Sequence, residues 1–234
     1  MLELLHRHAA AFGPLVRPLA ELPWWFYALI LIGITLATTV HEFGHAWMAD
    51  RLGDPGPREA GRVSLNPLRH MDPLGFTIMI LTTFLLGFPI GWGKAIKIDP
   101  EKLIGNKRRS AALVAAAGPL MNLALAALLS PFVRLVLGGA IPPTPIVIAA
   151  TLLFLLTIVI NVSQFCFNLL PIQPMDGSGV LLGLLPEKIG DHYQAFMQRW
   201  GVYLFLLLTF TEIPSQILLP LIRLILWILT GIKL

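Results

Sequence analysis

Residues 22–49 read LPWWFYALILIGITLATTVHEFGHAWMA, and this stretch decides the fold. Leu22 to Val40 supplies 19 uncharged residues. As a helix they extend about 28 Å, close to the hydrocarbon thickness of a bilayer. Trp24, Trp25 and Tyr27 open the run and suit the aromatic belt at a membrane interface. The helix is expected to continue to about Ala49, because only Gly44 weakens it. Between Glu21 and Asp50 the only Asp, Glu, Lys or Arg is Glu42. A carboxylate at the end of an apolar span is costly and marks function.

His41-Glu42-Phe43-Gly44-His45 puts two imidazoles four residues apart on one helix face, where both can reach one metal ion. Glu42 lies near the same face and can act on water beside that metal, the H-E-x-x-H pattern of zinc proteases. A catalytic zinc ordinarily takes three protein ligands and keeps an open position. From Leu135 to Pro186 the single charged residue is Asp176, in Asn168-Leu-Leu-Pro-Ile-Gln-Pro-Met-Asp-Gly177. Prolines break the chain before it and glycines allow a tight backbone after it. That suits a carboxylate turned toward a buried ion; the competing reading is a loop Asp capping the next helix.

Composition agrees with a membrane setting. Of the 234 residues 56% are hydrophobic and 13% charged, against about 25% charged in soluble domains. Mean hydropathy is +0.76. A disordered chain, a coiled coil, a disulfide mini-protein and a soluble globule are all excluded. The net charge of +4 does not indicate nucleic acid, because the basic residues sit in loops between apolar runs. Cys166, the single cysteine, reads as a small buried hydrophobe.

The spacing predicts an all-α polytopic membrane protein. Further spans are expected over Ser110–Val133 and Ile146–Asn168, separated by the turn GGAIPPTP at 138–145. Residues 1–23 suggest an amphipathic surface segment rather than a signal peptide. Residues 61–66 and 95–98 suggest short strands, a small cytoplasmic β element. The apolar stretch 74–93 is flanked by four Lys and Arg from 49 onward and six up to 109. Both basic pieces favour the cytoplasm, so 74–93 is expected to re-enter rather than cross. Residues 200–234 are expected to form one kinked helix or two short ones.

HEFGH, then Ala116-Ala117-Gly118-Pro119-Leu120-Met121-Asn122, then NLLPIQPMDG resembles the site-2 protease family of intramembrane zinc metalloproteases. GRVSLNPLRHMDPLG at 61–75 and GWGKAIKIDP at 91–100 look like the linking region of its compact bacterial members, those without a PDZ domain. The resemblance covers roughly residues 24–186. It implies that His41, His45 and Asp176 ligate one zinc and that Glu42 is the general base, roles the residues suggest by themselves. It further implies that Asn168 positions substrate or stabilises the oxyanion, and it matches Asn122 to a family asparagine. An interhelical hydrogen bond is the other reading of Asn122. His70 has two readings, gating or binding substrate, and a solvated or capping role.

One membrane-embedded metalloprotease domain over 1–234 is therefore expected, with a three-helix catalytic core at about 24–186 and a C-terminal helical part at 200–234. Its partners would be the bilayer and a membrane-protein substrate, already trimmed by another protease if the resemblance holds. Oligomeric state is open. The motifs meet at one depth if the first and third spans run one way and the second runs back, which puts the metal within the cell membrane nearer the cytoplasmic face. The expected activity is hydrolysis of a peptide bond in or near a transmembrane segment. A divalent-metal transporter and a catalytically silent homologue are the alternatives.

Overall fold

The computed structural model describes residues 23–86, 91–209, 211 and 213–233. The expected N-terminal surface segment lies outside them, apart from Pro23. Helix α1 spans Trp24–Arg51 and starts directly after Pro23, whose missing N–H costs nothing at a helix entrance. It ends at Leu52, followed by Gly53 with φ +103°. A short helix, α2, covers Gly56–Glu59. Helix α3 spans Pro73–Leu86, α4 Lys107–Leu137, α5 Pro145–Asn168 and α6 Asp176–Leu184. Two more helices follow, α7 over Glu187–Thr209 and α8 over Ile213–Thr230. The C-terminal region is thus two helices, and the first begins well before residue 200.

Helices α1, α4 and α5 are long and apolar enough to cross a membrane. Side-chain caps start two of them. Asn106 accepts a hydrogen bond from the Arg109 amide, and the Thr144 hydroxyl accepts one from Val147 ahead of α5. Helix α4 is central and packs against α1, α5, α6 and α8. Small residues allow the close approaches. A Cβ at Gly44 would lie 2.5 Å from the Ala117 carbonyl oxygen, and one at Gly33 would lie 2.8 Å from Ile160. The contacts fix direction: Ala37 and His41 meet Asn122, whereas His45 meets Val114. Helices α1 and α4 are therefore antiparallel, as the motif placement requires. Leu218, Ile222 and Leu226 of α8 join Val133 of α4 with Ile158, Val162 and Cys166 of α5 in one buried cluster.

The expected small β element is not formed among the described residues. Residues 61–66 close on themselves: Gly61 takes φ +67°, Ser64 N–H donates to Arg62 O, and Asn66 caps the turn at Pro67–Arg69. Asp99 N–H donates to the buried Asp54 carboxylate rather than to a neighbouring strand. Turn and side-chain hydrogen bonds thus take the place of strand pairing. What remains is one antiparallel bridge, Met71 with Gly93, beside a hydrogen bond from Lys94 N–H to His70 O of 2.8 Å.

That bridge brings the two ends of the 74–93 stretch side by side. Helix α3 has 14 residues, about 21 Å of rise, too short for a hydrocarbon core of about 30 Å. The chain leaves at Met71 and returns beside it at Gly93, so the excursion starts and ends on one side. Glycines close this hairpin. A Cβ at Gly75 would lie 2.4 Å from Trp92 O, and one at Gly91 would lie 2.6 Å from Gly75 O.

Candidate active site

His41 and His45 face α4 from the last two turns of α1 and are both buried. Each ring is oriented through Nδ1. The His41 Nδ1 hydrogen bonds to Asn122 Oδ1 at 2.7 Å, and the His45 Nδ1 to the Val114 carbonyl at 2.7 Å. With Nδ1–H donating, both Nε2 atoms present lone pairs, and they lie 3.1 Å apart. Asp176 reaches them from the first turn of α6, with Oδ2 3.1 Å from His41 Nε2 and Oδ1 3.4 Å from His45 Nε2.

The donor set fits a metal ion. These three side chains can place one ligand atom each within 4.8 Å of the others. A tetrahedral zinc with bonds of about 2.0–2.1 Å holds neighbouring ligand atoms about 3.3–3.4 Å apart, close to the spacings here. Asp176 Oδ2 is buried without a hydrogen-bond partner among the described residues. Three acceptors converging on one buried point repel one another unless a cation or added protons sit between them.

Gly118 makes room for the pair. A Cβ there would lie 2.3 Å from His45 Nε2 and 2.9 Å from His41 Cε1. Asn122 is fully buried. It accepts from His41 and donates across the helices, with Nδ2 3.0 Å from Ala37 O, 2.9 Å from Asn161 Oδ1 and 3.2 Å from Gln164 Oε1. Asn161 is held in turn by its own donation to Thr157 O. Asn161 and Gln164 were not singled out by the sequence reading. The available signal was two amides in the apolar run of α5.

A cavity of about 760 Å³ adjoins the cluster and is lined by His41, Glu42, His45 and Asp176. Gln164 and Asn168 of α5 also face it, as do His70 and the hairpin residues Phe76, Met79 and Trp92. Asn168 is steadied by donating to Gln164 O at 3.0 Å. Glu42 Oε2 lies 3.9 Å from the Arg62 guanidinium. His70 is completely buried, so it is not a solvated residue. Its Nε2–H donates to Ser64 O at 2.6 Å, and its Nδ1 has no partner. It does occupy the C-cap of the turn at Pro67–Arg69, but its side chain faces the cavity.

The model of peptidase family M50 matches residues 28–142, which hold the HEFGH motif, the hairpin and all of α4. A Bacillus subtilis (strain 168) protein named as a zinc metalloprotease, YwhC, is 34% identical over 213 residues, 89% of this chain and 90% of its own. Rip2 of Mycolicibacterium smegmatis, also named as a zinc metalloprotease, is 32% identical over 200 residues, 84% of this chain and 71% of its own. Rip2 of Mycobacterium tuberculosis is 32% identical over 172 residues, 72% of this chain and 61% of its own. No solved structure matches the chain significantly.

Proposed function

Because the chain belongs to peptidase family M50, the site-2 protease family of metalloproteases, we propose that it hydrolyses a peptide bond in or near a transmembrane segment of another membrane protein. One zinc ion per chain is held by His41, His45 and Asp176, within the cell membrane and nearer its cytoplasmic side. The single observation that carries this reading is the convergence of two imidazole Nε2 atoms, 3.1 Å apart, on the Asp176 carboxylate, whose oxygens lie 3.1 and 3.4 Å from them, beside a cavity that Glu42 also faces.

Zinc bound there supplies an electrophile for the scissile carbonyl and brings the pKa of water toward about 7. Glu42 is the general base: a carboxylate oxygen takes the proton of the attacking water and delivers it to the nitrogen of the leaving amine. Asn122 and the Val114 carbonyl hold the two imidazoles in the tautomer that leaves Nε2 free. Asn168 supplies an amide at the cavity wall suited to a substrate carbonyl, and Gln164 supplies a second. His70 offers Nδ1 to a substrate N–H. A transmembrane helix keeps its carbonyls in its own hydrogen bonds, so the substrate unwinds before it enters. The cavity between the hairpin and the helices suits an unwound segment better than an intact helix.

The test pairs metal analysis with cleavage. Wild type and Glu42→Gln are purified in detergent, their zinc is counted, and each is incubated with membrane-protein segments. The expected result is about one zinc per chain in both, with cleavage by wild type alone. Zinc-free wild type after metal-replete purification would overturn the assignment of the three ligands. Equal cleavage by both proteins would remove Glu42 as the base.

A further inference from the structure

Ten Lys and Arg lie between residues 49 and 109, and Arg62 is the only one of them that is buried. Its relative exposure is 6%. A guanidinium out of water needs partners, and those of Arg62 lie on two elements. One terminal nitrogen donates to the Lys94 carbonyl, where the 71–93 hairpin returns. The same nitrogen lies 3.9 Å from Glu42 Oε2. The neck of the hairpin also meets the other carboxylate oxygen. A Cβ at Gly93 would lie 3.8 Å from Glu42 Oε1 and 3.4 Å from His70 O.

A separation of 3.9 Å is an ion pair and not a hydrogen bond. It aims the carboxylate without occupying the lone pair that must accept a proton. We propose that Arg62 is a positioning residue for the hydrolysis, holding the Glu42 carboxylate in register with the metal ligands from the neck of the hairpin. The placement of the hairpin and the alignment of the base are then one linkage. This rests on the reading of Glu42 as the base given above.

The full-length protein tests it through a cycle of variants: Arg62→Met, Glu42→Asp, the double variant, and Arg62→Lys. Zinc per chain, kcat and KM are measured on one membrane-protein segment that wild type cleaves. Arg62→Met is expected to keep its zinc and its KM and to lose about 30–100-fold in kcat. Arg62→Lys, which keeps the charge, recovers most of that loss. In the Glu42→Asp background the carboxylate is already withdrawn, so Arg62→Met costs less than about three-fold more. An equal loss in both backgrounds, an unchanged kcat, or a rise in KM alone would each overturn the proposal. If Arg62→Met does not fold, Arg62→Gln, which keeps a donor for the Lys94 carbonyl but not the charge, carries the same comparison. A wild type that binds zinc but cleaves no segment fails the function proposed above, whereas a segment cut equally by wild type and Arg62→Met fails this inference alone.

Discussion

Gly118 meets a strict demand in the site, because two imidazoles occupy the space a methyl group would need. Gly118→Ala is expected to push His45 Nε2 aside and weaken zinc binding by about 100-fold, measured by competition with a chelator. Unaltered affinity would show that the helices shift to absorb the methyl group. His70 gives a prediction in pH. Burial lowers its pKa, the hydrogen bond to Ser64 raises it, and the charge of Arg62 lowers it, for a net decrease. The unfolded residue titrates near about 6.5, so its contribution to stability is complete above that pH. It is lost as pH falls from there through the folded value. The stability difference between wild type and His70→Asn in detergent should be flat above about pH 7 and shrink below about 6.5. A constant difference would show that folding leaves the His70 pKa unshifted. At this scale the cluster of His41, His45 and Asp176, with Glu42 beside it, was legible because each is ionisable or metal-binding where such groups are rare. Arg62 was not, because a buried arginine reads like its exposed neighbours in a basic loop.

At the scale of elements, α6 matters more than its nine residues suggest, since Asp176 is its first residue. It lies against the start of α4 with no space to spare: a Cβ at Gly183 would lie 2.2 Å from the Ala112 Cβ and 3.0 Å from Arg108 O. Gly183→Ala is therefore expected to tilt α6 away from α4, at a cost of about 1–3 kcal/mol. It should reduce zinc affinity although residue 183 touches no ligand; a stability loss with full affinity would show that α6 yields only at its far end. The three spans could be read from hydropathy, whereas proline placement left one kinked helix or two open for 200–234. The strands could not. Alternating short segments such as 95–98 satisfy a strand pattern, but a strand also needs a partner, and turns at Gly61, Ser64 and Asn66 have already closed 61–66.

For the whole molecule the prediction is one of sidedness. The hairpin returns to the side it left, so 50–106 and the start of α7 share a face and the 138–144 turn lies opposite. Cys166 is 2% exposed and gives a quiet background for labelling. In intact cells Pro143→Cys should react with an impermeant maleimide, and Lys97→Cys should react only after lysis. The reverse pattern would invert the membrane orientation and move the metal site toward the outer face. The overall direction of the three spans was legible because their motifs had to meet at one depth. The hairpin's closure depended on glycine contacts between residues 75 and 91–92, which no local pattern announces.

The metal ligands are far apart along the chain, two near residue 45 and the third at 176, beyond two further spans. A ribosome adding about 5–20 residues per second needs roughly 7–26 s to pass from one to the other. During that interval the nascent chain already displays both histidines and Glu42 but lacks the carboxylate that completes the set. A chain extended only through its second span therefore holds two of the three proposed ligands, and the proposed site is complete only once the third span has been made.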